Sequence, residues 1–302
     1  MANNLTLSHS RAQTYMSCSE KYRLHYEESL RPDKAFSYLF FGSKVESGLD
    51  VLLLRKKKDL TDEEKALSER CPFEVFDENF NIVEINGEEL DARTTDKIIY
   101  TKKDFDENIL TDEDVELIEN GCNQGWVCLR RKAHLLIEAY EEEVIPQIEE
   151  VLSIQEKVDL SNEVGDSLIG YIDFIARFTD GVTYVVDNKT ASRAYDDNAV
   201  EISEQFATYC EYKGIDDACY IVMEKNIRRK DPKVRITVLK GVVSESTKQV
   251  VFKNFDGVVD GIRNEEYSKN YDSCWNFGKC PYYNYCRNGS KKDLVHINKE
   301  KV

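Results

Sequence analysis

Histidine is scarce in this sequence. The chain of 302 residues contains four, at positions 9, 25, 134 and 296, and no two of them have the spacing of a paired metal site. A zinc site built on spaced histidines is therefore not expected. No run of about 20 apolar residues exists either, so we expect no membrane-spanning helix. The first ten residues lack the charged-then-apolar plan of a signal peptide, which favours an intracellular, cytoplasmic location.

Basic residues are outnumbered by acidic ones. There are 41 Lys and Arg against 57 Asp and Glu, which gives a net charge of −16. This balance argues against a protein that coats nucleic acid non-specifically, and against a binder of anionic membranes. The net charge does not exclude a site in which a few basic residues surround an acidic metal-binding pocket. The chain contains nine cysteines, an odd number. In a reducing compartment cysteines serve more often as metal ligands or core residues than as a set of disulfides.

Residues 168–189 are predicted to form a β-hairpin around which the rest of the chain is organised. Its Asp-Gly pair at 180–181 is the one that a two-residue turn prefers, because both central positions need positive φ. Side chains alternate along a strand, so Asp187 and Lys189 point the same way, about 6 to 7 Å apart. Asp173 lies on the first strand of the same hairpin.

Carboxylates in an apolar hairpin are costly to bury unless something compensates their charge. A third acid of this kind is Glu46, which falls among apolar neighbours on a helix predicted over residues 37–55. Asp173, Asp187 and Glu46 would form an acidic nest beside Lys189. Carboxylate oxygens favour Mg²⁺ or Mn²⁺ over zinc, and such an ion would polarise a phosphodiester and lower the pKa of a bound water. The alternative is a surface hairpin with ordinary charges and a solvated glutamate.

The end of the chain carries a second informative pattern. Cys274, Cys280 and Cys286 follow one another with five residues between successive cysteines, among aromatic residues and before a proline. Three thiolates need a fourth ligand to complete a tetrahedral or cubane site, and it must come from elsewhere in the chain. Cys18 lies on a helix predicted over residues 7–28, where a small core residue is the more ordinary interpretation.

The remaining segments alternate between helical and strand patterns. A helix over 199–214 places Gln205 and Tyr209, four apart, on one face. Further elements are expected at the following positions: a helix over 126–152 interrupted near Pro146, strands at 151–160, 218–224 and 234–242, and a helix at 246–268.

Three charged stretches have no specific function assigned from the sequence. Residues 56–125 lack a strong period and include eight acidic residues but no lysine or arginine between positions 104 and 120, which suggests an acidic insertion or subdomain with a solvated face. The basic cluster at 130–132 and a basic hairpin tip at 227–233 could each contact phosphate or serve only as solvated charge.

Three segments of the sequence resemble the motifs of a known family. Residues 170–173 (Gly-Tyr-Ile-Asp), 185–190 (Val-Val-Asp-Asn-Lys-Thr) and 205–209 (Gln-Phe-Ala-Thr-Tyr) look like the successive motifs of RecB-like PD-(D/E)XK nucleases. Residues 8–24, with Ser8, Ser10 and Cys18, are similar to the N-terminal cysteine helix of the iron–sulfur branch, which includes the AddB nuclease domain and the CRISPR-associated RecB-like exonucleases. The resemblance implies a single α/β nuclease domain over 1–302, with a restriction-endonuclease-like core and a central mixed β-sheet flanked by helices.

The resemblance also implies roles for individual residues. Asp173, Asp187 and the backbone carbonyl of Asn188 would bind the metal, and Lys189 would be the catalytic lysine. Gln205 and Tyr209 would position substrate or the attacking water. Glu46 would stand where many members have a histidine, which makes the site harder and more negative. A second departure is Ile172, which occupies the proline position of the family name.

In the iron–sulfur branch one N-terminal cysteine joins three C-terminal ones around a [4Fe–4S] cluster. The resemblance therefore assigns Cys18 as the fourth ligand, with the segment 270–290 supplying Cys274, Cys280 and Cys286, so that the cluster ties the two chain ends together. The family often has a shorter first gap between the C-terminal cysteines, which keeps a Cys₄ zinc site as the alternative.

The function that these patterns predict is a Mg²⁺- or Mn²⁺-dependent deoxyribonuclease, an exonuclease acting on DNA ends or single strands. The resemblance suggests a role in DNA repair or recombination, with a helicase or recombinase as partner. It also suggests that the protein comes from a bacterium or a bacterial virus. Two other classes stay open: a DNA-binding or recombination-partner module that keeps the fold without turnover, and a structural zinc protein whose hairpin carboxylates are incidental.

Overall fold

A mixed six-stranded β-sheet lies at the centre of the structure, a computed structural model that describes residues 4–162, 164–226, 234–276 and 278–297. The basic tip predicted at 227–233 lies outside these residues. In chain order the strands are β1 (Thr6–Ser8), β2 (Leu30–Pro32), β3 (Ala35–Phe36), β4 (Ile82–Ile85), β5 (Glu88–Asp91), β6 (Ile98–Ile99), β7 (Ile148–Ser161), β8 (Ser167–Phe178), β9 (Thr183–Ala191), β10 (Asp217–Glu224), β11 (Arg235–Val242) and β12 (Leu294–His296).

Ten α-helices surround the sheet within the described ranges. They are α1 (His9–Ser17), α2 (Ser19–Tyr22), α3 (Tyr38–Leu54), α4 (Asp62–Ser68), α5 (Pro72–Phe80), α6 (Asp112–Glu119), α7 (Gln124–Glu143), α8 (Glu204–Lys213), α9 (Glu245–Arg263) and α10 (Tyr283–Asn288). Among these helices none is long and apolar enough to cross a membrane.

The order of strands makes the sheet mixed. β8 is antiparallel to β7 on one edge, and on its other edge it pairs with β1 at its beginning and with β9 at its end. β10 is parallel to β9 and antiparallel to β11. A parallel pair needs a crossover connection, and α8 lies in the one between β9 and β10. The predicted α/β fold, with a mixed central sheet flanked by helices, is therefore confirmed.

Two helical layers cover the two faces of the sheet, and the alternation along β9 decides which side chains meet each layer. Val186 is buried in one hydrophobic cluster with Leu49 of α3 and Leu136 of α7. Its neighbour Val185 is buried in another cluster with Phe206 of α8. The predicted alternation of the second hairpin strand is thus correct, and it directs Asp187 and Lys189 towards the α8 side.

The turn between β8 and β9 differs from the prediction. Phe178 N donates to Val182 O at 2.9 Å, and Gly181 N donates to Phe178 O at 2.9 Å, so three residues form the loop. Only Gly181 has positive φ, +84°, whereas Asp180 does not. The Asp180 side chain instead accepts hydrogen bonds from Val182 N and from the hydroxyl of Tyr184, which fixes a three-residue loop closed by a glycine.

Residues 56–125 share the main core with α3 and α7. Phe76 and Phe80 of α5 are buried in that cluster, and the Trp126 ring of α7 stacks on Phe80. The expectation of a solvated acidic face is wrong for two of its acids. Asp104 is buried and accepts from the Ser37 hydroxyl at 2.8 Å, and Asp114 is buried as well.

The basic cluster at 130–132 neither faces phosphate nor forms a solvated turn. Arg130 makes ion pairs with Asp77 at 2.7 Å and with Asp114 at 3.2 Å. Lys132 is buried and donates to the carbonyl oxygen of Lys103 at 2.6 Å. These bonds join α7 to the preceding acidic segment, a long-range pairing that no local pattern reveals.

The N-terminal helix is interrupted where one continuous helix over 7–28 was expected. Thr6–Ser8 form β1, and Ser8 caps α1 by accepting a hydrogen bond from Arg11 N at 3.3 Å, as its position predicted. Cys18 then adopts an extended backbone, φ −164° and ψ 104°, before α2 begins. At the other end β12 pairs with β2, so the two ends of the described chain lie side by side.

Candidate active site

Asp173 and Asp187 meet where β8 and β9 separate. The register pairs Phe174 with Val186, and the two aspartates occupy the next position of the antiparallel pair, beyond the last ladder contact. Residues opposite each other on antiparallel strands share a face, so both carboxylates turn the same way. Asp173 Oδ2 accepts a hydrogen bond from Asn188 N at 2.8 Å. The Asp187 side chain is 1% exposed.

Lys189 stands two residues beyond Asp187 on the same face of β9. Its Nζ lies 2.6 Å from Asp187 Oδ2, so the two side chains point the same way, as the alternation predicted, and in addition form an ion pair. Oδ2 is buried, and it accepts no hydrogen bond of good geometry within the described part of the chain. The ion pair therefore holds the lysine in place but leaves one aspartate oxygen without a directed partner.

Helix α8 supplies an amide that joins these two side chains. Gln205 Nε2 donates to Asp187 Oδ1 at 2.8 Å, and Gln205 Oε1 accepts from Lys189 Nζ at 3.1 Å. The same Nε2 lies 3.0 Å from the hydroxyl of Tyr209, one turn further along α8. Ser203 caps the helix by accepting from Phe206 N, so the cap sets the position of Gln205 in the first turn.

Gly170 lets Tyr209 reach this site. A Cβ at position 170 would lie 2.8 Å from Cε1 of the tyrosine ring, closer than carbon atoms normally approach. The residue is part of β8, three positions before Asp173. A glycine there is thus required by the ring that packs over the strand, rather than by a turn.

Glu46 approaches the site from the other helical layer. Gly42, one turn earlier on α3, would place a Cβ 3.1 Å from Thr190 Oγ1, so the small residue allows the helix to pack close to β9. Burial, then the charges of Asp187 and Asp50, raise the pKa of Glu46 to about 7. The prediction that Glu46 turns inward is supported by this burial and by the effect of the Asp187 charge.

Asp50 is a fourth acid, which the sequence pattern had not predicted to belong to the site. It follows Glu46 by one helical turn on α3, and burial raises its pKa to about 7. The i, i+4 spacing of the two acids was the signal that could have found it.

The titration behaviour of the three remaining groups follows from burial and mutual charge. Burial, together with the charges of Asp187 and Glu46, raises the pKa of Asp173 well above its usual range. Burial also raises the pKa of Asp187, although Lys189 opposes the change. For Lys189 burial lowers the pKa, but the charges of Asp187 and Asp173 outweigh it, and the pKa is raised. The lysine is thus a cation in a site with excess carboxylate.

Two further residues border the site without having been predicted. His9, the first residue of α1, has its pKa lowered by burial and then by the charge of Lys189. Tyr140 of α7 is fully buried, and its hydroxyl donates to Asn188 Oδ1 at 3.2 Å. Position alone could not have assigned either one, because each reaches the site through tertiary packing.

The residues present suit a hard divalent cation by their chemistry. In the described ranges no three or more His, Cys, Asp or Glu side chains are arranged so that they could hold a metal ion as they stand. The donor set nevertheless fits, since carboxylate oxygens predominate, Asp187 Oδ2 is buried without a directed hydrogen bond, and the acids repel one another. A divalent charge would relieve that repulsion.

The four cysteines singled out from the sequence line one small cavity. Cys18, Cys274, Cys280 and Cys286 all border it, together with Lys21 and other residues. Asn270 N lies 3.5 Å from Cys18 Sγ, which ties the break after α1 to the C-terminal segment. Burial, then the neighbouring cysteines, raise the pKa of the Cys274 thiol, and burial raises that of Cys286 to about 11. In the described part of the chain, however, no three of these thiols are arranged so that they could hold a metal ion as they stand.

Comparison with known protein families places the chain in one of them. A family model described as the PD-(D/E)XK nuclease superfamily matches residues 6–287, nearly the whole chain. No curated protein matches this sequence.

Proposed function

Because the chain belongs to the PD-(D/E)XK nuclease superfamily, whose members are generally hydrolases that act as nucleases, we propose that it is a metal-dependent deoxyribonuclease. The observation that carries the proposal is the convergence of Asp173, Asp187 and Lys189 at the point where β8 and β9 separate. Surface charges of a structural hairpin would not be buried together and bridged by a glutamine from another element.

Asp173, Asp187, Glu46 and the backbone carbonyl of Asn188 would hold a Mg²⁺ or Mn²⁺ ion. Such an ion supplies Lewis-acid stabilisation of the phosphodiester and a bound water of lowered pKa. These four positions are proposed ligands, supported by burial, by the chemistry of their oxygens and by the raised pKa values of the acids.

The protein's own residues would perform the remaining tasks. Lys189 stays protonated, so its ammonium orients the attacking water and stabilises negative charge that develops on the phosphate. Gln205 holds Lys189 and Asp187 in register through its two amide atoms. The hydroxyl of Tyr209 is fixed by Gln205 and is placed to position substrate or water.

Exonuclease action on DNA ends or single strands is the mode that we propose, in repair or recombination and with a helicase or recombinase partner. It is supported by the likeness of residues 170–173, 185–190 and 205–209 to the RecB-like motifs, and by the cysteines that border one cavity.

For that cavity we propose a structural [4Fe–4S] cluster held by Cys18, Cys274, Cys280 and Cys286, with zinc as the alternative. Anaerobically purified protein should show a visible absorption band, with iron and sulfide in a ratio of about one to one. Colourless protein with one zinc per chain would refute the iron–sulfur assignment.

The nuclease proposal is tested with end-labelled single- and double-stranded DNA, linear and circular, with EDTA, Mg²⁺ or Mn²⁺. Wild-type protein should cut with either metal, and Asp187→Ala and Lys189→Ala should not. Lys65→Ala, which removes an exposed lysine of α4, is the matched control and should cut normally. If the wild-type protein binds DNA but does not cut it in the presence of any metal tested, the nuclease proposal is wrong and a non-catalytic module is favoured.

A further inference from the structure

Three cations near the N-terminus have no acidic partner among the described residues, although acids outnumber bases 57 to 41 in the chain. They are Arg11, Lys21 and Arg31. Within the described residues no carboxylate oxygen lies within 4.0 Å of any of their charged nitrogens. Arg23, in the same segment, shows the ordinary situation, since it is paired with Glu20 at 2.8 Å.

Two of these cations share one aromatic ring. The guanidinium carbon of Arg11 lies 4.9 Å from the ring centroid of Tyr26, and that of Arg31 lies 5.6 Å from the same centroid. A cation over an aromatic face is attracted to it, so the tyrosine holds both groups in place. Their like charges still repel each other, and within the described chain neither guanidinium has a carboxylate oxygen closer than 4.0 Å.

Arg31 is also incompletely satisfied. Its Nη1 atom is buried and donates no hydrogen bond to any described residue. Burial lowers the pKa of Arg31, the neighbouring Tyr282 and Tyr26 oppose that change, and the positive charge of Arg11 acts in the same direction as burial. An unpaired donor of a charged group is costly to bury, and a planar guanidinium is suited to two parallel bonds with a phosphate or a carboxylate. Nη1 itself is closed to solvent, so the donors open to an anion from outside the chain are those of the exposed Arg11 guanidinium, which lies on the same ring as the half-buried Arg31.

Helix α1 connects Arg11 to the neighbourhood of the candidate active site. His9 begins α1 and is close enough to Lys189 for the charge of that lysine to lower its pKa. Arg11 follows His9 on the same helix, about 3 Å further along the axis. α1 therefore carries both a residue that the charge of Lys189 affects and one of the two arginines over Tyr26.

We propose that Arg11 and Arg31, held over Tyr26, bind a phosphodiester of the substrate strand outside the one that is cut. The site would be positively charged in a protein that is otherwise acidic, and it would keep the strand in register with Lys189. The identity of the strand as substrate rests on the proposed nuclease function, but the anion site itself stands on the arginines.

Binding of a labelled single-stranded oligonucleotide in EDTA tests this site without cleavage. Affinity should be measured over a series of salt concentrations for wild type, Arg11→Gln and Arg31→Lys. Each lost phosphate contact on a single strand lowers the slope of log K against log salt by about 0.7 and weakens binding several-fold near 0.1 M salt. Arg11→Gln is the decisive variant, because its side chain is exposed and its loss leaves the fold intact.

Arg177→Gln is the matched control. Arg177 lies near the turn end of the hairpin, paired with Thr183, about 20 Å along β9 from Lys189, and it is ion-paired with Glu149 and Glu150. It should keep the wild-type slope. Equal slopes and affinities for Arg11→Gln and wild type would overturn the proposal even if the protein cuts DNA. A reduced slope in a protein that never cuts DNA would support the anion site and defeat the nuclease proposal.

Discussion

Replacing Glu46 by glutamine should stabilise the metal-free protein at alkaline pH. Burial and the charges of Asp187 and Asp50 raise the pKa of Glu46 from 4.5 to about 7, so the folded state disfavours the ionised form. At about 1.4 kcal/mol per pKa unit, and after a discount for partial exposure, ionised Glu46 costs about 2 to 3 kcal/mol of unfolding free energy. Glutamine keeps the shape and removes that cost.

The sign of the pH dependence follows from the raised pKa. The favourable contribution of protonated Glu46 is complete below pH 4.5, the value of the unfolded chain, and is lost as the pH rises through about 7. In EDTA the difference between Glu46→Gln and wild type should therefore grow from pH 5 to pH 8. For a chain of this length 2 to 3 kcal/mol corresponds to a rise in Tm of about 3 to 5 °C.

Thermal unfolding followed by circular dichroism gives the measurement, with and without Mn²⁺. Manganese should raise the Tm of the wild type at pH 8 and raise that of Glu46→Gln less, because one proposed ligand is gone. Glu138→Gln removes an exposed acid of α7 and should leave both the Tm and the metal response unchanged. A variant no more stable than wild type at pH 8 in EDTA, with an identical pH profile, would refute the reasoning.

Three further outcomes are expected. Tyr140→Phe leaves Asn188 Oδ1 buried without its donor and should lower the unfolding free energy in urea by about 1 to 2 kcal/mol; no loss would show that the bond contributes nothing. Gly170→Ala should slow DNA cleavage about tenfold by displacing the Tyr209 ring, and an unchanged cleavage rate would contradict the close packing. Burial and then nearby cations lower the pKa of His25 from 6.5 to about 3. The free energy of unfolding should therefore fall by a few kcal/mol as the pH is lowered from 6.5 to about 3. Melts at pH 7 and pH 4 should show a smaller fall for His25→Gln than for wild type, and equal falls would count against it.

Local pattern was sufficient for the elements that set up the candidate site. Alternation along 182–189 correctly separated the two faces of β9, and the four-residue spacing of Gln205 and Tyr209 placed both in one hydrogen-bonded pair. Helix α3 was predicted to within a residue of its ends, since a long apolar periodicity is a strong signal.

Long-range pairing could not be predicted in the same way. Arg130 was assigned to phosphate or to solvent because its partners, Asp77 and Asp114, lie on other helices. The helical periodicity of residues 7–28 also did not predict the break at Cys18, because that residue contacts Asn270, near the opposite end of the sequence. Asp50 could have been found from its i, i+4 spacing to Glu46, but the burial that raises its pKa comes from tertiary packing and cannot be read from that spacing.

The central claim is that the acids at the separation of β8 and β9 hold a divalent cation. A crystal soaked in Mn²⁺ and measured at the manganese absorption edge tests it most directly. An anomalous peak between the carboxylates of Asp173 and Asp187, absent from crystals of Asp187→Asn, is the predicted result. No peak there at saturating Mn²⁺, with the two side chains still together, would contradict the claim.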